Sequence, residues 1–270
     1  MVNSHWHPDH NLGNAEYRRA FPGVVVLGTS ATRAGILERV PGYVGQVKSF
    51  APTDSLMRLR LSTGKMRDGS AMPANVRLMW SIITRDFAEL LPAVSTATPS
   101  APDLVFDDSL TITLGTRRVR LVRTGRGNTA GDAIAFIPDA GVLLTGDLVT
   151  VPCPFPSTAY FSEWIAALDQ LKKMPATRIV PGHGDIMTDY GYIDLVRELL
   201  LFTREQARAA VRAGTPVDSL QQTIDFSSLI QRFGGGDVVR TDAFDNFYRE
   251  PGVPRAFDEA KFESQGAILQ

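Results

Sequence analysis

The sequence predicts an α/β fold with a helical insertion and a helical C-terminal tail. Short apolar or alternating runs at 24–27, 110–114, 119–123, 133–137, 142–144 and 177–180 are bounded by Gly, Pro, Asn or Asp, as strands are. Stretches with apolar residues at helical spacing cover about 41–91 and 190–270. With 270 residues the chain can bury one sizeable core, and 1–270 is expected to be a single domain.

Taken in order, Met1 to Ser4 reads as the end of a strand. Asn14 to Ala20 reads as a short helix stopped by Pro22-Gly23. The run Val24-Val25-Val26-Leu27 fits a strand buried on both faces. Thr29 or Ser30 caps a helix reaching about Val40. In the insertion, Leu56, Leu59 and Met66 recur loosely, and Val76, Met79, Trp80, Ile83, Phe87 and Leu90-Leu91 form a cleaner stripe. That stripe predicts core packing, or a helical cover over the first loop. Pro92 to Asp103 is rich in Ser, Thr, Ala and Pro and reads as a linker.

After the linker Leu110–Leu114 and Val119–Arg123 alternate. The runs 133–137 and 142–144 flank Pro138-Asp139-Ala140-Gly141, a hairpin signal. A helix begins near Ser162, and a last strand at 177–180 leads to His183. Gly214 ends a helix from Tyr190 to Ala213, and a second helix spans about Val217 to Ile224. Phe233 to Asp237 is glycine-rich but lacks the strand-then-helix setting of a phosphate loop.

Composition excludes several functions. The net charge of -1 gives no electrostatic case for nucleic acid or an anionic membrane surface. No apolar run is long enough to span a bilayer. The single cysteine, Cys153, forms no internal disulfide framework and reads as packed between two prolines rather than nucleophilic. Only four residues precede His5. The chain as written therefore carries no export address and reads as cytoplasmic, although a signal could lie upstream.

Histidine usage locates the chemistry. Three of the four histidines lie in Ser4-His5-Trp6-His7-Pro8-Asp9-His10, and the fourth is His183 in Pro181-Gly182-His183-Gly184. In an extended segment His5 and His7 project to one side. Pro8 then turns the chain and brings Asp9 and His10 beside them. Imidazoles with a carboxylate suit zinc, or with less preference iron, manganese or nickel. Other polar residues stand after predicted strands: Asn128 in Gly127-Asn128-Thr129-Ala130-Gly131-Asp132, and Asp147 in Thr145-Gly146-Asp147. Strand ends are a rigid platform for a preorganised site.

The order His5-x-His7-x-Asp9-His10, then Gly146-Asp147 after an apolar strand, then Pro181-Gly182-His183-Gly184 resembles the metallo-β-lactamase-fold superfamily. The resemblance runs from residue 1 to about residue 213 and implies an αβ/βα sandwich with two metal positions at one edge. His5 and His7 would hold the first metal. Asp9, His10 and His183 would hold the second, and Asp147 would bridge. The implied cofactor is zinc, one or two ions, with iron or manganese as alternatives.

The sequence departs from the family pattern twice. Asn128 stands where a third imidazole for the first metal is usual, and an amide oxygen is a poor match for zinc. The second position is therefore expected to be the tighter one. The strands that usually precede the first motif are also missing, so the N-terminal part reads as truncated. The remaining sheet should then expose an apolar face and an unpaired edge, inviting a homodimer.

The implied activity is hydrolysis of a small-molecule ester, lactone, thioester or amide, in which the metal lowers the pKa of a water from 15.7 toward about 7. Asp9 would be the catalytic residue, orienting the nucleophile and shuttling its proton. The alternatives are iron-dependent oxidation of a thiol or persulfide, and a non-catalytic binding protein that keeps the fold.

Overall fold

The computed structural model describes residues 1–48, 58–66, 68–267 and 269, with the side chains of 46–48, 83, 87 and 89 outside that description. Leu56, Ile83 and Phe87 of the predicted insertion pattern therefore fall outside the described side chains.

Five strands form the main sheet, in the spatial order β3 (Ser109–Leu114), β4 (Arg117–Gly125), β5 (Asp132–Ile137), β6 (Val142–Thr150) and β7 (Arg178–His183). The first three junctions are antiparallel and β6·β7 is parallel. A parallel neighbour needs a crossover, and the helix Phe161–Leu171 supplies it. This unit places the end of β6, with Asp147, directly beside the end of β7, with His183.

Two shorter strands, β1 (Leu27–Gly28) and β2 (Leu104–Val105), pair in parallel, and Val2 bridges to Leu27. The predicted strand at 24–27 is thus shorter than its apolar run. Val25 is exposed because pairing with 1–3 and 104–105 begins only near Leu27.

The helices whose bounds are described are α1 (Asn14–Ala20), α2 (Ser30–Glu38), α3 (Val40–Lys48), α4 (Ala74–Thr96), α5 (Phe161–Leu171), α6 (Gly191–Ala213), α7 (Val217–Thr223), α8 (Ser227–Gly234), α9 (Val238–Ala243) and α10 (Glu250–Ser264), with a π-helical turn at Phe244–Arg249, and residues 58–63 are also helical. Thr29 caps α2, its hydroxyl accepting from the Thr32 N–H at 3.1 Å. Gly214 closes α6 in the left-handed conformation. No helix among the described residues is long and apolar enough to cross a membrane.

The period of the strands decides the two faces. Ile134, Phe136 and Leu143 turn into the main core with Trp164, Leu168, Leu199 and Phe244. Each fully buried side chain of this size contributes about 1.5–3 kcal/mol, so this face anchors the molecule. The alternate residues of β3 to β6 pair across the other face as Leu110 with Leu121, Leu121 with Ala135, and Ala135 with Leu144. Leu110 and Ala135 are only partly buried there, and Leu144 is 38% exposed.

Two boundaries differ from the sequence reading. The linker begins later than Pro92, because α4 continues through it to Thr96. The hydroxyls of Ser95 and Thr96 both donate to the Pro92 carbonyl and tighten that last turn. The insertion stripe does not cover the first loop either. Val76 and Trp80 pack with Met72 and Val239, and the Trp80 indole N–H donates to Asp242 at 3.1 Å.

Candidate metal centre

The loop Ser4–His10 is held by buried amides. Asn11 Nδ2 donates to the carbonyls of Trp6 (2.8 Å) and His7 (2.6 Å). Asn3 Nδ2 donates to the His10 carbonyl at 2.8 Å, and Asn3 and Asn14 exchange side-chain hydrogen bonds. A single 3₁₀ turn, Pro8–His10, follows from the fixed φ of Pro8. These contacts turn three imidazoles and Asp9 toward the ends of β6 and β7.

Two ligand groups result, and they share Asp147. His5, His7 and Asp147 form a fully buried group, while Asp9, His10, Asp147 and His183 form a second that opens outward. In each, one candidate ligand atom per residue lies within 4.8 Å of the others, a spacing that could hold a metal ion. Asp147 reaches His5 Nε2 at 3.6 Å, His10 Nε2 at 3.2 Å and His183 Nε2 at 3.7 Å. His10 Nε2 and His183 Nε2 stand 3.3 Å apart, each 3.1 Å from Asp9 Oδ2. Gly182 permits this approach, since a Cβ there would sit 2.0 Å from Asp147 Oδ1.

Hydrogen bonding sets which ring nitrogens are free. His5 Nδ1 contacts Ser4 Oγ at 3.1 Å, leaving Nε2 on the Asp147 side. His7 Nε2 contacts Thr158 Oγ1 at 3.0 Å, and that hydroxyl donates to the Asn128 carbonyl at 3.0 Å. With its proton committed, the hydroxyl accepts from His7 Nε2–H, and Nδ1 is the nitrogen left for a ligand. Asn128 Nδ2 lies 3.4 Å from that Nδ1. The structure therefore brings all seven predicted residues together, with Asn128 beside the inner group.

The electrostatics are those of a cation site. His5 Nε2 and Asn128 Oδ1 are buried with no hydrogen-bond partner, and Asp147 Oδ1 is buried with the His10 ring nitrogen 3.2 Å away. Polar atoms left so are costly, and a divalent ion between His5 and Asp147 would satisfy those two. Burial pushes the His5 pKa well down and that of His7 down to about 4, keeping both neutral as ligands must be. Burial works against the charged forms of Asp9 and His10 as well. Hydrogen bonds from His10 and His183 nevertheless hold Asp9 well below the usual carboxylate range. Bonds to Asp147 and Asp9 lift His10 to about 10. Its bond to Asp9 raises His183.

Asp9, Asp147 and His183 of the outer group, with His7 of the inner one, line a cavity of about 610 Å³ walled by Trp6, Tyr43, Val151, Phe155 and Phe247. No Arg or Lys lines it among the described residues. Trp6 lines this cavity and also packs against Ile36 and Val40. Cys153 is buried, and burial raises its thiol to about 12, so it is packed and not nucleophilic.

Sequence reasoning missed the supporting groups: Asn3, Asn11, Asn14, Ser4 and Thr158. Thr158 stands 151 residues from His7, a separation that leaves no periodic trace. Asp132 was also passed over, although it lies in the stretch that carries Asn128. It is buried, and its carboxylate accepts from the Thr129 N–H at 2.7 Å and hydroxyl at 3.2 Å, fixing the Asn128 loop.

Burial lifts the Asp132 carboxyl to about 7. Its folded value exceeds the unfolded one, so its stabilisation is complete below about pH 4 and is lost as pH rises toward 7. In chelator, the unfolding free energy of the native chain minus that of Asp132→Asn is expected to fall by on the order of 4 kcal/mol across that window. A difference that does not vary with pH, measured by urea unfolding, would exclude a protonated carboxyl.

The profile of the metallo-beta-lactamase superfamily matches residues 1–183. Among solved structures, the chain is similar to a metallo-beta-lactamase family protein from Thermus thermophilus, with 17% identity, TM-score 0.51, and 99% of this chain and 75% of that one covered. It is also similar to a metallo-beta-lactamase from Pontibacter korlensis, with 18% identity, TM-score 0.48, and 74% of this chain and 67% of that one covered. The chain thus spans about two thirds of the length of that lactamase. No curated protein matches it. The family profile covers well over half of the chain, and the histidine and aspartate motifs within that span meet in one site; this chain belongs to the metallo-beta-lactamase superfamily.

Proposed function

We propose that the protein is a zinc-dependent hydrolase of small molecules carrying an ester, lactone, thioester or amide bond. The observation that carries this reading is the pair of ligand groups sharing Asp147 at the floor of an apolar cavity. His5, His7 and Asp147, with Asn128 adjacent, would hold one ion weakly, and so only at high metal. Asp9, His10, His183 and Asp147 would hold the other. Zinc is favoured because the donors are imidazole-rich. When bound, such an ion polarises a carbonyl and lowers the pKa of a water toward about 7.

The chain's own residues supply the rest. Asp9 is more than half exposed on the cavity side, so a water or substrate can reach it. Hydrogen bonds from the His10 and His183 rings hold its pKa well below the usual carboxylate range, so it is a carboxylate at neutral pH. Its role is therefore to orient the attacking water and pass the proton on. The walls formed by Trp6, Tyr43, Phe155 and Phe247 exclude solvent and accept the apolar part of a substrate. The Thr158 hydroxyl keeps the His7 ring in the tautomer that leaves Nδ1 free.

The test is metal-dependent turnover of generic esters, lactones and thioesters, with metal per chain measured on the same preparation. Chelation is expected to abolish turnover. Asp9→Ala should lower kcat by roughly 10²–10⁴. Full metal-dependent turnover by Asp9→Ala, or no turnover of any of the three classes by metal-loaded protein, would overturn the reading.

A further inference from the structure

We propose that a crevice beside the metal cavity binds an oxyanion, a carboxylate or phosphate carried by the substrate at a distance from its scissile bond. The crevice is about 260 Å³ and shares Trp6, Ser157 and Thr158 with the metal cavity. Its other walls come from α2 and from the tail, which bring Arg39 and Arg255 to one space.

Both guanidiniums are held by aromatic rings and lack an acidic partner. Arg39 lies 5.3 Å from the centroid of the Trp6 ring, and Arg255 lies 5.0 Å from that of Tyr160. Neither has a carboxylate within ion-pair distance among the described residues. The contrast is Arg126, which stacks on the same Tyr160 ring but is neutralised by Glu163. Arg255 Nε donates to the Ala159 carbonyl at 2.6 Å, so its planar fork is oriented while its terminal nitrogens make no bond to a described residue. Glu38 also lines the crevice and is exposed, in ion-pair contact with neither arginine.

The placement has a structural cause. A Cβ at position 35 would sit 2.5 Å from Trp6 Cγ, so Gly35 lets the indole lie against α2. That packing makes Trp6 a partition, with Arg39 on its ring and His7 beyond it at 4.8 Å between centroids. One aromatic ring thus separates a guanidinium from a ligand residue. Stacked guanidiniums without counter-ions are pre-organised for two-pronged recognition of a carboxylate or phosphate. No Arg or Lys stands in the walls of the metal cavity among the described residues, and the neighbouring crevice brings two guanidiniums to its edge.

That the anion belongs to the substrate rests on the hydrolase reading; anion binding by the crevice does not. The test is calorimetric titration at low salt with inorganic phosphate and, separately, succinate. Four proteins are compared: the metal-loaded native chain, Asp147→Asn, Arg39→Gln/Arg255→Gln, and the combination of all three changes. Arg39→Gln alone alters only an exposed helix end, and it serves if the double variant does not fold. Phosphate or succinate is expected to bind both the native chain and Asp147→Asn. Loss of the arginines should weaken that binding at least tenfold in either background. Binding that ignores the arginines, binding that disappears in Asp147→Asn, or no binding to the native chain would overturn the proposal. If esters are turned over, the native chain should prefer a carboxylate-bearing ester to its neutral analogue by about tenfold in kcat/KM, and the arginine variants should lose that preference. If none is turned over, the hydrolase reading fails while the titrations still decide the crevice.

Discussion

Asp147→Asn is expected to empty both ligand groups and to lower metal-dependent turnover by roughly 10³-fold or more. Asp147 is the one carboxylate common to the two groups, and it lies within 4 Å of His5, His10 and His183. Asparagine keeps the shape but replaces one acceptor oxygen by a donor and removes the charge. The surrounding imidazoles would then have to hold a dication with the outer carboxylate, Asp9, alone. The charge change also removes a main support for the proton on His10. Elemental analysis and turnover on one sample check this outcome. A variant that keeps its metal and its rate would show that the carboxylate is not the shared ligand.

Asn128→His is expected to change stoichiometry in the opposite direction, from one metal per native chain to two. The native inner group offers two buried imidazoles and Asp147. The Asn128 amide beside it presents Nδ2 to His7, with Oδ1 buried and unpartnered. Rotation of that amide would turn the oxygen toward the group, but an amide oxygen binds a borderline ion weakly beside imidazoles. A third imidazole at this position should tighten the inner site by on the order of 100-fold, since even groups that merely orient a ligand change affinity by 10–100-fold. Metal titration followed by elemental analysis reads the result. Two ions already present in the native chain would mean that Asn128, or a water beside it, completes a working inner site.

The parts of the site that were legible in the sequence are those with short-range signals. His5, His7, Asp9 and His10 stand within one loop, and Asp147 and His183 each follow an apolar run. The alternation at Leu110–Leu114 and Val119–Arg123 and the turn at Pro138–Gly141 marked β3, β4 and the β5–β6 hairpin, and superfamily membership bears out the resemblance. What could not be read depends on pairs remote in sequence. Thr158 meets His7 only because the segment before α5 folds back over the Asn128 loop. Asn3, Asn11 and Asn14 look like turn residues until their amides are seen holding the ligand loop. The stripe on α4 packs as a core face, as read, but nothing local indicated that its partners would be Val239 and Asp242 of the tail. Pro92 suggested a break where the last turn of α4 persists.

The parallel junction of β6 and β7 has a consequence for the integrity of the molecule. It places His183 against a loop that begins at residue 5, so an ion bound there ties the first residues of the chain to a strand end far along it. Such a tether restricts the unfolded chain as a covalent cross-link closing a long loop does. Unlike a disulfide it is reversible, and its strength follows the free metal concentration through mass action. The Met1–His10 segment is also held by backbone bonds such as Asn3 N–H to Leu27 and Ala133 N–H to Ser4, by the Asn3, Asn11 and Asn14 amides and by Trp6 packed on α2, and the tether would add to these as the supply of metal rises.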